Sequence, residues 1–357
     1  MASGSTRRVP ATTTDPGLFP PEPPARQGRV PRGHDAVASE RGRHVSSPLP
    51  YIPPSQMPHS DAPSLSPAGL QPLALWHAPG DLIGVFTDID DTLTTDGAIT
   101  ADALDALQAL RHAGLAVIPV TGRPAGWSEP FAASWPVNAI VAENGAVAMV
   151  RVAGADAGEA PTPCGEGAVV VHPAGPGGPA LCKLYQQDAA TRAVQYARMQ
   201  QVLARIEHEV PGARRATDSA GRECDIAIDH SEFTHLPQET IDAVVQRMRA
   251  AGMHATVSSI HINGWYGDHD KLAGARWIVR ELFGRVLDDE IGRWVYVGDS
   301  TNDQKMFEAF PHSVGVANIA RFVSQLVHRP RHVTRAERGA GFAEVARAIL
   351  QAGRATA

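Results

Sequence analysis

Apolar residues follow one repeating pattern through the region after the first quarter of the chain. A short apolar run at Leu82–Thr87 precedes a helical stripe of Leu104, Leu107 and Leu110, and a second run at Leu115–Val120 comes after it. The runs predict strands buried on both faces, and the stripe predicts a helix that packs on one side. Strands that alternate with helices in this way are typical of a parallel, doubly wound sheet.

The same alternation returns near the carboxyl terminus. A helical stripe begins at Asp270, and apolar runs at Trp294–Val297 and Ser313–Val316 follow it. Another apolar run, at Ala139–Ala142, lies after a helix that Pro124 opens. We therefore predict an α/β protein with a Rossmann-like doubly wound parallel sheet, to which both regions contribute strands.

The middle of the chain has a different pattern. Cys224, Ile226 and Ile228 alternate with Asp225, Ala227 and Asp229, which predicts a half-exposed antiparallel strand. Two helical stripes accompany this strand and predict an inserted α+β domain, which we call the cap. The predicted organisation is a tail at 1–79, a first part of the core at 80–151, the cap at 152–257 and a second part of the core at 258–357.

The first 79 residues are rich in Pro, Ser, Thr, Arg and His and have no apolar periodicity. Such a segment cannot bury enough surface to offset its ordering entropy. It predicts either a disordered Pro-rich tail or residues upstream of a later start at Met57. We assign no chemistry to it.

Composition excludes several classes of function. A formal charge of −6 lacks the basic excess of a nucleic-acid binder, and no apolar run is long enough to span a membrane. The three cysteines, Cys164, Cys182 and Cys224, have no C-x-x-C spacing, which indicates neither a disulfide framework nor a zinc site. We expect a cytoplasmic protein without a nucleic-acid or membrane partner, and its oligomeric state is left open.

Carboxylates follow two of the predicted strands. Asp88 and Asp90 come directly after the first strand, and Asp299 and Asp303 follow the strand at Trp294–Val297. Ligands of open α/β sheets bind at the carboxyl ends of strands, so the four should meet there. Unpaired carboxylates at about 4 Å repel by roughly 4 kcal/mol per pair, which implies a cation, and oxygen ligands favour Mg²⁺. Taken singly, each aspartate is an ordinary turn or helix-cap residue.

Two further features suit a phosphate group. Thr121 and Gly122 end the second strand and enter a helix, where a hydroxyl and backbone N–H groups can bind phosphoryl oxygens. Lys271 lies near the start of the last core helix, where its ammonium could offset the charge of the aspartates and of a phosphate. Each feature alone is a weak signal, since a lone lysine is usually a solvated surface group.

In this order the residues resemble the four motifs of the haloacid dehalogenase superfamily. The resemblance implies a Mg²⁺-dependent phosphatase in which Asp88 forms an aspartyl-phosphate and Asp90 acts first as general acid and then as base. The motifs are Asp88-Ile89-Asp90-Asp91-Thr92, Thr121, Lys271 and Gly298-Asp299-Ser300-Thr301-Asn302-Asp303.

The resemblance also implies roles for the other motif residues. Thr121, Gly122, Lys271 and Asn302 would bind the phosphoryl group. The implied metal ligands are the carboxylate of Asp88, the backbone carbonyl of Asp90 and Asp299, with Asp303 acting through water. Asp91 departs from the family, which often has glycine there; it adds a negative charge but removes no catalytic group.

The large insertion and Ala142–Ala146 resemble subfamily IIB, whose members mostly act on sugar phosphates and other small metabolites. Ser258–Asn263, which leads into Asp270-Lys271, resembles the sucrose-phosphate and mannosyl-phosphoglycerate phosphatases. A small phosphorylated substrate is therefore the implied partner. Candidate contacts with the rest of that substrate are Arg222, Asp225, His261 and Asn263, each of which is alternatively a solvated strand residue.

Two other classes of function compete with a phosphatase. A phosphotransferase or phosphomutase would carry the same four motifs and pass the phosphoryl group to a second hydroxyl. A non-catalytic nucleotide-binding module is less well supported, because no G-x-G-x-x-G follows the first strand.

Overall fold

The structure is a computed structural model that describes residues 70–152, 164, 167–173 and 179–355. Its strands are β1 (Gln71–Pro72), β2 (Gly84–Thr87), β3 (Thr94–Thr95), β4 (Ala98–Ile99), β5 (Ala116–Pro119), β6 (Ile140–Ala142), β7 (Val147–Arg151), β8 (Val169–Val171), β9 (Leu181–Tyr185), β10 (Arg214–Arg215), β11 (Ile226–Asp229), β12 (His254–Val257), β13 (His261–Trp265), β14 (Trp294–Gly298), β15 (His312–Gly315) and β16 (His332–Val333). Its α-helices are α1 (Ala101–His112), α2 (Ala125–Ser134), α3 (Ala189–Glu209), α4 (Gln238–Ala250), α5 (Lys271–Phe283), α6 (Gln304–Ala309) and α7 (Arg338–Ala355).

A six-stranded parallel sheet forms the centre of the core, with the order β1-β16-β15-β14-β2-β5. One apolar cluster packs on each of its faces, which explains why the predicted strands read as continuous apolar runs. The predicted α/β fold is thereby confirmed. Because β2 and β14 are parallel neighbours at the centre, the residues after Thr87 and Gly298 emerge at the same edge.

The pairing of the strands gives domain boundaries that differ from those predicted from the sequence. A parallel bridge between Val120 and Val141 continues the core sheet into an antiparallel sheet of order β6-β7-β9-β8, so residues up to Tyr185 extend the core. The cap sheet has the order β10-β11-β13-β12 and therefore includes His261–Trp265, which the sequence assigned to the core. Local patterns cannot show which sheet a strand joins, because its partners are distant along the chain.

The strand β11 is buried on both faces, so the predicted half-exposure is wrong. Ile226 and Ile228 pack with the apolar stripes of α3 and α4. The alternate positions, Asp225 and Asp229, are also buried, and Asn144 of the core donates to the Asp225 carboxylate at 3.3 Å. The polar face of the cap sheet is covered by the core rather than by water.

Residues 70–79 are ordered, which corrects the predicted extent of the tail. Strand β1 pairs in parallel with β16 at the edge of the core sheet. Leu70, Leu73 and Trp76 are buried there, and this apolar surface offsets the ordering entropy of the segment. The rest of the predicted tail, residues 1–69, lies outside the described residues.

Cys164 and Cys182 form a disulfide, with their Cα atoms 5.6 Å apart, although the sequence indicated no disulfide framework. Cys224 is buried and free. Disulfides are rare in reducing compartments, so the cytoplasmic location stays a prediction. Among the described residues, no helix combines the length and apolar character needed to cross a membrane.

A tight turn after β6 sets the position of α5. Glu143, Asn144 and Gly145 all have positive φ angles, of 49°, 54° and 108°. A Cβ atom on Gly145 would overlap the carbonyl group of Asp270, and one on Gly274 would lie 2.6 Å from the Cα of Gly145. The absence of both side chains allows the start of α5 to rest directly against the turn.

We expect Gly145→Ala to lower the free energy of unfolding by about 3 kcal/mol or more, because it adds both backbone strain and a steric overlap. Gly97→Ala is the matched control, since Gly97 also has a positive φ, of 79°, but no atom within 4 Å of the added Cβ. It should cost only about 1 kcal/mol. Urea unfolding of both variants measures the difference, and equal costs would contradict the predicted overlap.

Candidate active site

The carboxyl ends of β2 and β14 place Asp88 and Asp299 side by side. The two strands pair in parallel register, and the Asp88 N–H donates to the carbonyl oxygen of Val297 at 2.9 Å. Asp88 and Asp299 are both buried. The sequence placed these aspartates at one sheet edge, and the structure brings them together there.

Three buried carboxylates form a cluster at this edge. Asp88, Asp299 and Asp303 each offer an oxygen atom, and these atoms lie within 4.8 Å of one another. Burial raises the pKa of Asp88 to about 7, although Lys271 opposes the shift, and burial and the neighbouring Asp88 raise the pKa of Asp299 well above its usual value. Both shifts reflect burial and neighbouring like charges that Lys271 and Arg321 compensate only in part.

Asp299 has an oxygen that is suited to a metal ion. Its Oδ1 is buried and has no hydrogen-bond partner among the described residues. Its Oδ2 accepts from Asn318 Nδ2 at 3.0 Å and from Arg321 Nη2 at 3.3 Å. An unpartnered carboxylate oxygen is costly unless a cation binds it, so this acidic cluster could hold a metal ion.

Asp303, by contrast, has both oxygens engaged by the protein. Lys271 Nζ at 2.7 Å and the Tyr296 hydroxyl donate to Oδ1, and the backbone N–H groups of Asp299 and Ser300 donate to Oδ2 at 2.9 and 3.1 Å. These contacts leave little room for direct metal ligation. Asp303 holds the loop after β14 and orients Lys271. The sequence did not predict Tyr296 as a site residue, because an inward-facing tyrosine in an apolar strand is typical of the hydrophobic core.

Lys271 is held over the cluster by the start of α5. Asp270 caps this helix by accepting from the Ala273 N–H at 2.8 Å. Lys271 Nζ contacts Asp88 Oδ1 and Asp303 Oδ1, both at 2.7 Å, and lies 3.5 Å from Asn302 Oδ1. Burial opposes its charge, but Asp303 and Asp88 raise its pKa, so the ammonium stays charged.

Thr121 and Gly122 stand on the other side of Asp88. Strand β5 pairs with β2, and the Val120 N–H donates to the carbonyl of Thr87 at 2.8 Å, which sets Thr121 beside Asp88. Thr121 is buried, and its Oγ1 accepts from the Arg123 N–H at 3.0 Å. A Cβ on Gly122 would lie 3.3 Å from the side chains of Asn144 and Asn263, so the bare backbone fits a crowded position.

Arg123 contacts Asp90, and sequence reasoning missed it. Its Nε lies 2.9 and 3.1 Å from the two oxygens of Asp90, and its Nη2 lies 2.9 Å from Oδ1. The same guanidinium reaches two acids of the cap, Glu232 at 2.8 Å and Asp218 at 3.2 Å. In the sequence, the adjacency of Arg123 to Thr121 and Gly122 was the indication of a role in the site. The contact of its side chain with Asp90 is decided by the fold.

The four predicted substrate contacts of the cap lie in one buried network, so the solvated alternative is excluded. Arg222 Nη1 donates to the carbonyl of Gly122 at 3.0 Å and to Asp225 at 2.8 Å. Asn263 Nδ2 donates to the same carbonyl at 3.2 Å and to Asp225 at 3.0 Å. His261 lies 3.4 Å from Arg222. The network fastens the cap sheet to the backbone beside Thr121.

Glu143 makes a second connection between core and cap that the sequence did not assign. Its carboxylate accepts from the N–H groups of Ala125, Glu223, Cys224 and Asp225. Burial raises its pKa to about 8 in spite of these donors. The segment that enters β11 is therefore held to the turn that precedes Gly145.

Asp91 adopts the left-handed region, with a φ of 55°, which is a position that glycine favours. Its carboxylate pairs with Arg321 at 2.7 Å and Arg338 at 3.1 Å. The Asn318 amide bridges the Asp91 carbonyl and Asp299, both at 3.0 Å. These contacts compensate the added negative charge. Nothing in the sequence indicated that Asn318, Arg321 and Arg338 would contact Asp91.

Comparison with known proteins agrees with this fold. Residues 85–155 match the haloacid dehalogenase-like hydrolase family. Thermoplasma acidophilum protein 0175 has a similar structure at 16% identity and a TM-score of 0.53, covering 75% of this chain and 99% of its own. A putative HAD/COF-like hydrolase from Plasmodium vivax is similar at 14% identity and a TM-score of 0.51, covering 76% and 96%.

A sucrose-phosphatase from Synechocystis sp. PCC6803, solved with sucrose and phosphate, matches at 14% identity and a TM-score of 0.49, with 74% of this chain and 96% of its own covered. A likeness at that level carries no argument about the substrate. A search of curated protein sequences finds no match. These likenesses show the fold, and the function rests on the site.

Without a divalent cation, we expect the free energy of unfolding to fall by about 2–4 kcal/mol between about pH 5 and about pH 8. Burial raises the pKa of Asp88 from 3.8 to about 7 and that of Asp299 in the same direction, so the folded state holds protons that the unfolded chain has released. Stability is therefore lost as the pH rises through this window. Urea unfolding in chelator, at both pH values, measures the loss.

A saturating divalent cation should reduce this pH dependence, because the ion replaces the protons on the cluster. Asp299→Asn should also reduce it in chelator, since the variant removes one titrating carboxylate. An equal loss of stability with and without the cation would show that the cluster holds no metal.

Proposed function

We propose that this chain, whose residues 85–155 belong to the haloacid dehalogenase-like hydrolases, is a phosphatase that acts through a phosphorylated aspartate. The observation that supports it most is the pair of contacts around Asp88: Lys271 Nζ lies 2.7 Å from one oxygen, and the unpartnered oxygen of Asp299 lies in the same buried cluster. A carboxylate between an ammonium and a metal-binding group is well placed to attack a phosphorus atom.

Asp88 is the nucleophile in this proposal. Its carboxylate attacks phosphorus, the bond from phosphorus to the leaving oxygen breaks, and an aspartyl-phosphate forms. Lys271 lies against Asp88 and offsets the charge of the phosphoryl group, and Thr121, Gly122 and Asn302 complete its surroundings. Such electrostatic stabilisation supplies much of the rate enhancement in phosphoryl transfer.

Asp90 is the proton donor of the first step and the proton acceptor of the second. It protonates the leaving alcohol in the first step and takes a proton from the water that cleaves the aspartyl-phosphate in the second. Arg123 contacts both of its oxygens and so fixes the direction in which the carboxyl group faces.

The donor set of the cluster fits Mg²⁺. Asp88, Asp299 and the backbone carbonyl of Asp90 offer only oxygen atoms, and Asp303 would act behind them. When bound, Mg²⁺ would supply positive charge to the phosphoryl oxygens. The residues of the chain keep the orientation of the ligands through Asn318, Tyr296 and the loop N–H groups.

The substrate in this proposal is a small phosphorylated metabolite, and a sugar phosphate suits it best. The cap sheet places the polar side chains of Arg222, Asp225, His261 and Asn263 close to Thr121 and Gly122, where the alcohol part of a substrate would lie. Subfamily IIB and a cytoplasmic location belong to the same proposal. Nucleic acid and membranes have no part in it.

We expect Asp88→Asn to lower phosphate release by about 1,000-fold or more, because the amide cannot form the aspartyl-phosphate. Asp105→Asn is the matched control, since Asp105 is exposed on α1. Release of inorganic phosphate from 4-nitrophenyl phosphate, with the fold checked by circular dichroism, measures both variants. Normal turnover by a folded Asp88→Asn protein would remove Asp88 as nucleophile.

Chelation should abolish phosphate release, and added Mg²⁺ should restore it, because the carboxylate cluster needs a cation before it can accept a phosphate dianion. The assay contains no second alcohol, so a phosphotransferase or phosphomutase would release little phosphate even with Mg²⁺. Full activity in excess chelator would contradict the metal assignment.

A further inference from the structure

The side chains beyond Asp90 define the space for the leaving alcohol. In an in-line attack by Asp88, the leaving oxygen lies next to the group that protonates it, which is Asp90 in the proposed function. Arg123 is the next residue outward, and Glu232 and Asp218 of the cap contact its far side. Whatever the leaving oxygen carries must therefore fit among these side chains.

Negative charge exceeds positive charge in this region. Three carboxylates of the cap, Asp218, Asp225 and Glu232, face two guanidinium groups, Arg123 and Arg222. His261, which lies 2.9 Å from Glu232, adds a third positive charge only when it is protonated.

The arginines have nearly all of their donors engaged by these acids. Arg123 contacts Asp90, Asp218 and Glu232, and Arg222 contacts Asp218, Asp225 and the carbonyl of Gly122. A second phosphate or carboxylate on the substrate would have to break these ion pairs. It would also leave buried carboxylates of the protein without their partners, which is strongly unfavourable.

Glu232 stays ionised in this setting. Although burial opposes the charge, hydrogen bonds from His261 and Arg123 lower its pKa to about 2. Burial raises the pKa of Asp225 against the effect of Arg222. If Asp225 is taken as neutral, Asp218 and Glu232 still balance the two arginines, and a second anion on the substrate would have to displace one of these acids.

Two buried atoms of the network have no hydrogen-bond partner among the described residues: the donor Arg222 Nε and the acceptor Asn263 Oδ1. Through their other nitrogen atoms, both side chains donate to the Gly122 carbonyl. Arg222 Nε needs an acceptor and Asn263 Oδ1 needs a donor; a hydroxyl group can be either, whereas a carboxylate or phosphate can only accept. The unfilled hydrogen bonds therefore suit a neutral alcohol.

We infer that the site takes phosphate monoesters of neutral, polyhydroxylated alcohols and discriminates against leaving alcohols that carry a second anionic group. This inference rests on the proposed function and adds a charge rule to it. Of the two kinds of phosphatase that the sequence resembles, it favours the one with a neutral sugar over the one whose substrate contains a glycerate carboxylate.

The test compares glucitol 6-phosphate with 6-phosphogluconate, two open-chain phosphates with the same number of carbons that differ in an alcohol or a carboxylate at C1. With the full-length chain and Mg²⁺, we expect kcat/KM to be about 10–100-fold higher for glucitol 6-phosphate, from like-charge repulsion within the cap. If turnover of the sugars is slow, inhibition constants against 4-nitrophenyl phosphate give the same comparison. Equal or better use of 6-phosphogluconate would overturn the inference.

Glu232→Gln should narrow the ratio between the two substrates by about tenfold, because it removes one carboxylate and keeps the shape. Glu207→Gln is the matched control, since Glu207 also pairs with an arginine of the cap, Arg215, but on its outer surface. The control should leave the ratio unchanged. If the ratio is unchanged in Glu232→Gln, the charge of Glu232 is not the cause of the discrimination between the two substrates.

Hydrolysis of 4-nitrophenyl phosphate distinguishes failure of the charge rule from failure of the proposed function. If wild-type protein with Mg²⁺ releases phosphate from it but prefers the anionic sugar, the charge rule fails and the phosphatase stands. If it releases no phosphate from any ester, the proposed function fails and the charge rule fails with it.

Discussion

The crowding of buried carboxylates at the carboxyl ends of β2 and β14 is the constraint on which the rest of the structure depends. Parallel register forces Asp88 and Asp299 together, and Asp303 follows in the same loop. Lys271 and Arg321 are the cations that contact them among the described residues, and two positive charges do not balance three negative ones, since Arg321 also pairs with Asp91. Burial raises the pKa values of Asp88 and Asp299, and the neighbouring carboxylates add to the shift. Together with the unpartnered Asp299 oxygen, this makes the edge suited to a cation.

The surrounding structure holds this unfavourable arrangement in place. The turn at Gly145 lets α5 approach closely enough for Lys271 to reach Asp88. On the opposite side, the cap is tied to the core through the Glu143 carboxylate and the Gly122 carbonyl. Arg123 contacts both Asp90 and the acids of the cap. In the proposed function, chemistry and substrate selection therefore share one side chain, which couples the position of the cap to the orientation of Asp90.

Four interpretations of the sequence differ from the structure, and each involves contacts between distant segments. The alternation in β11 was taken as exposure to water, but its polar face is covered by the core. The cap boundary was drawn from local pattern, whereas the pairing of β13 with β11 decides it. Residues 70–79 were counted with the tail, although β1 gains an edge position beside β16. The disulfide of Cys164 with Cys182 was likewise hidden, because spacing along the chain does not reveal proximity in space.

The sequence by itself determined the parallel α/β core and the sheet edge at which Asp88, Thr121, Lys271 and Asp299 gather, because apolar runs and the rule for strand ends are local properties. Only the tertiary structure decided which side chains complete that edge. Arg123, Glu143, Asn318 and the cap acids come from elements whose relative positions depend on packing over the whole domain. Asp299 and Asp303 are the same type of residue in the sequence, and their different partners arise only when the chain folds. One oxygen of Asp299 has no hydrogen-bond partner among the described residues, whereas both oxygens of Asp303 accept hydrogen bonds.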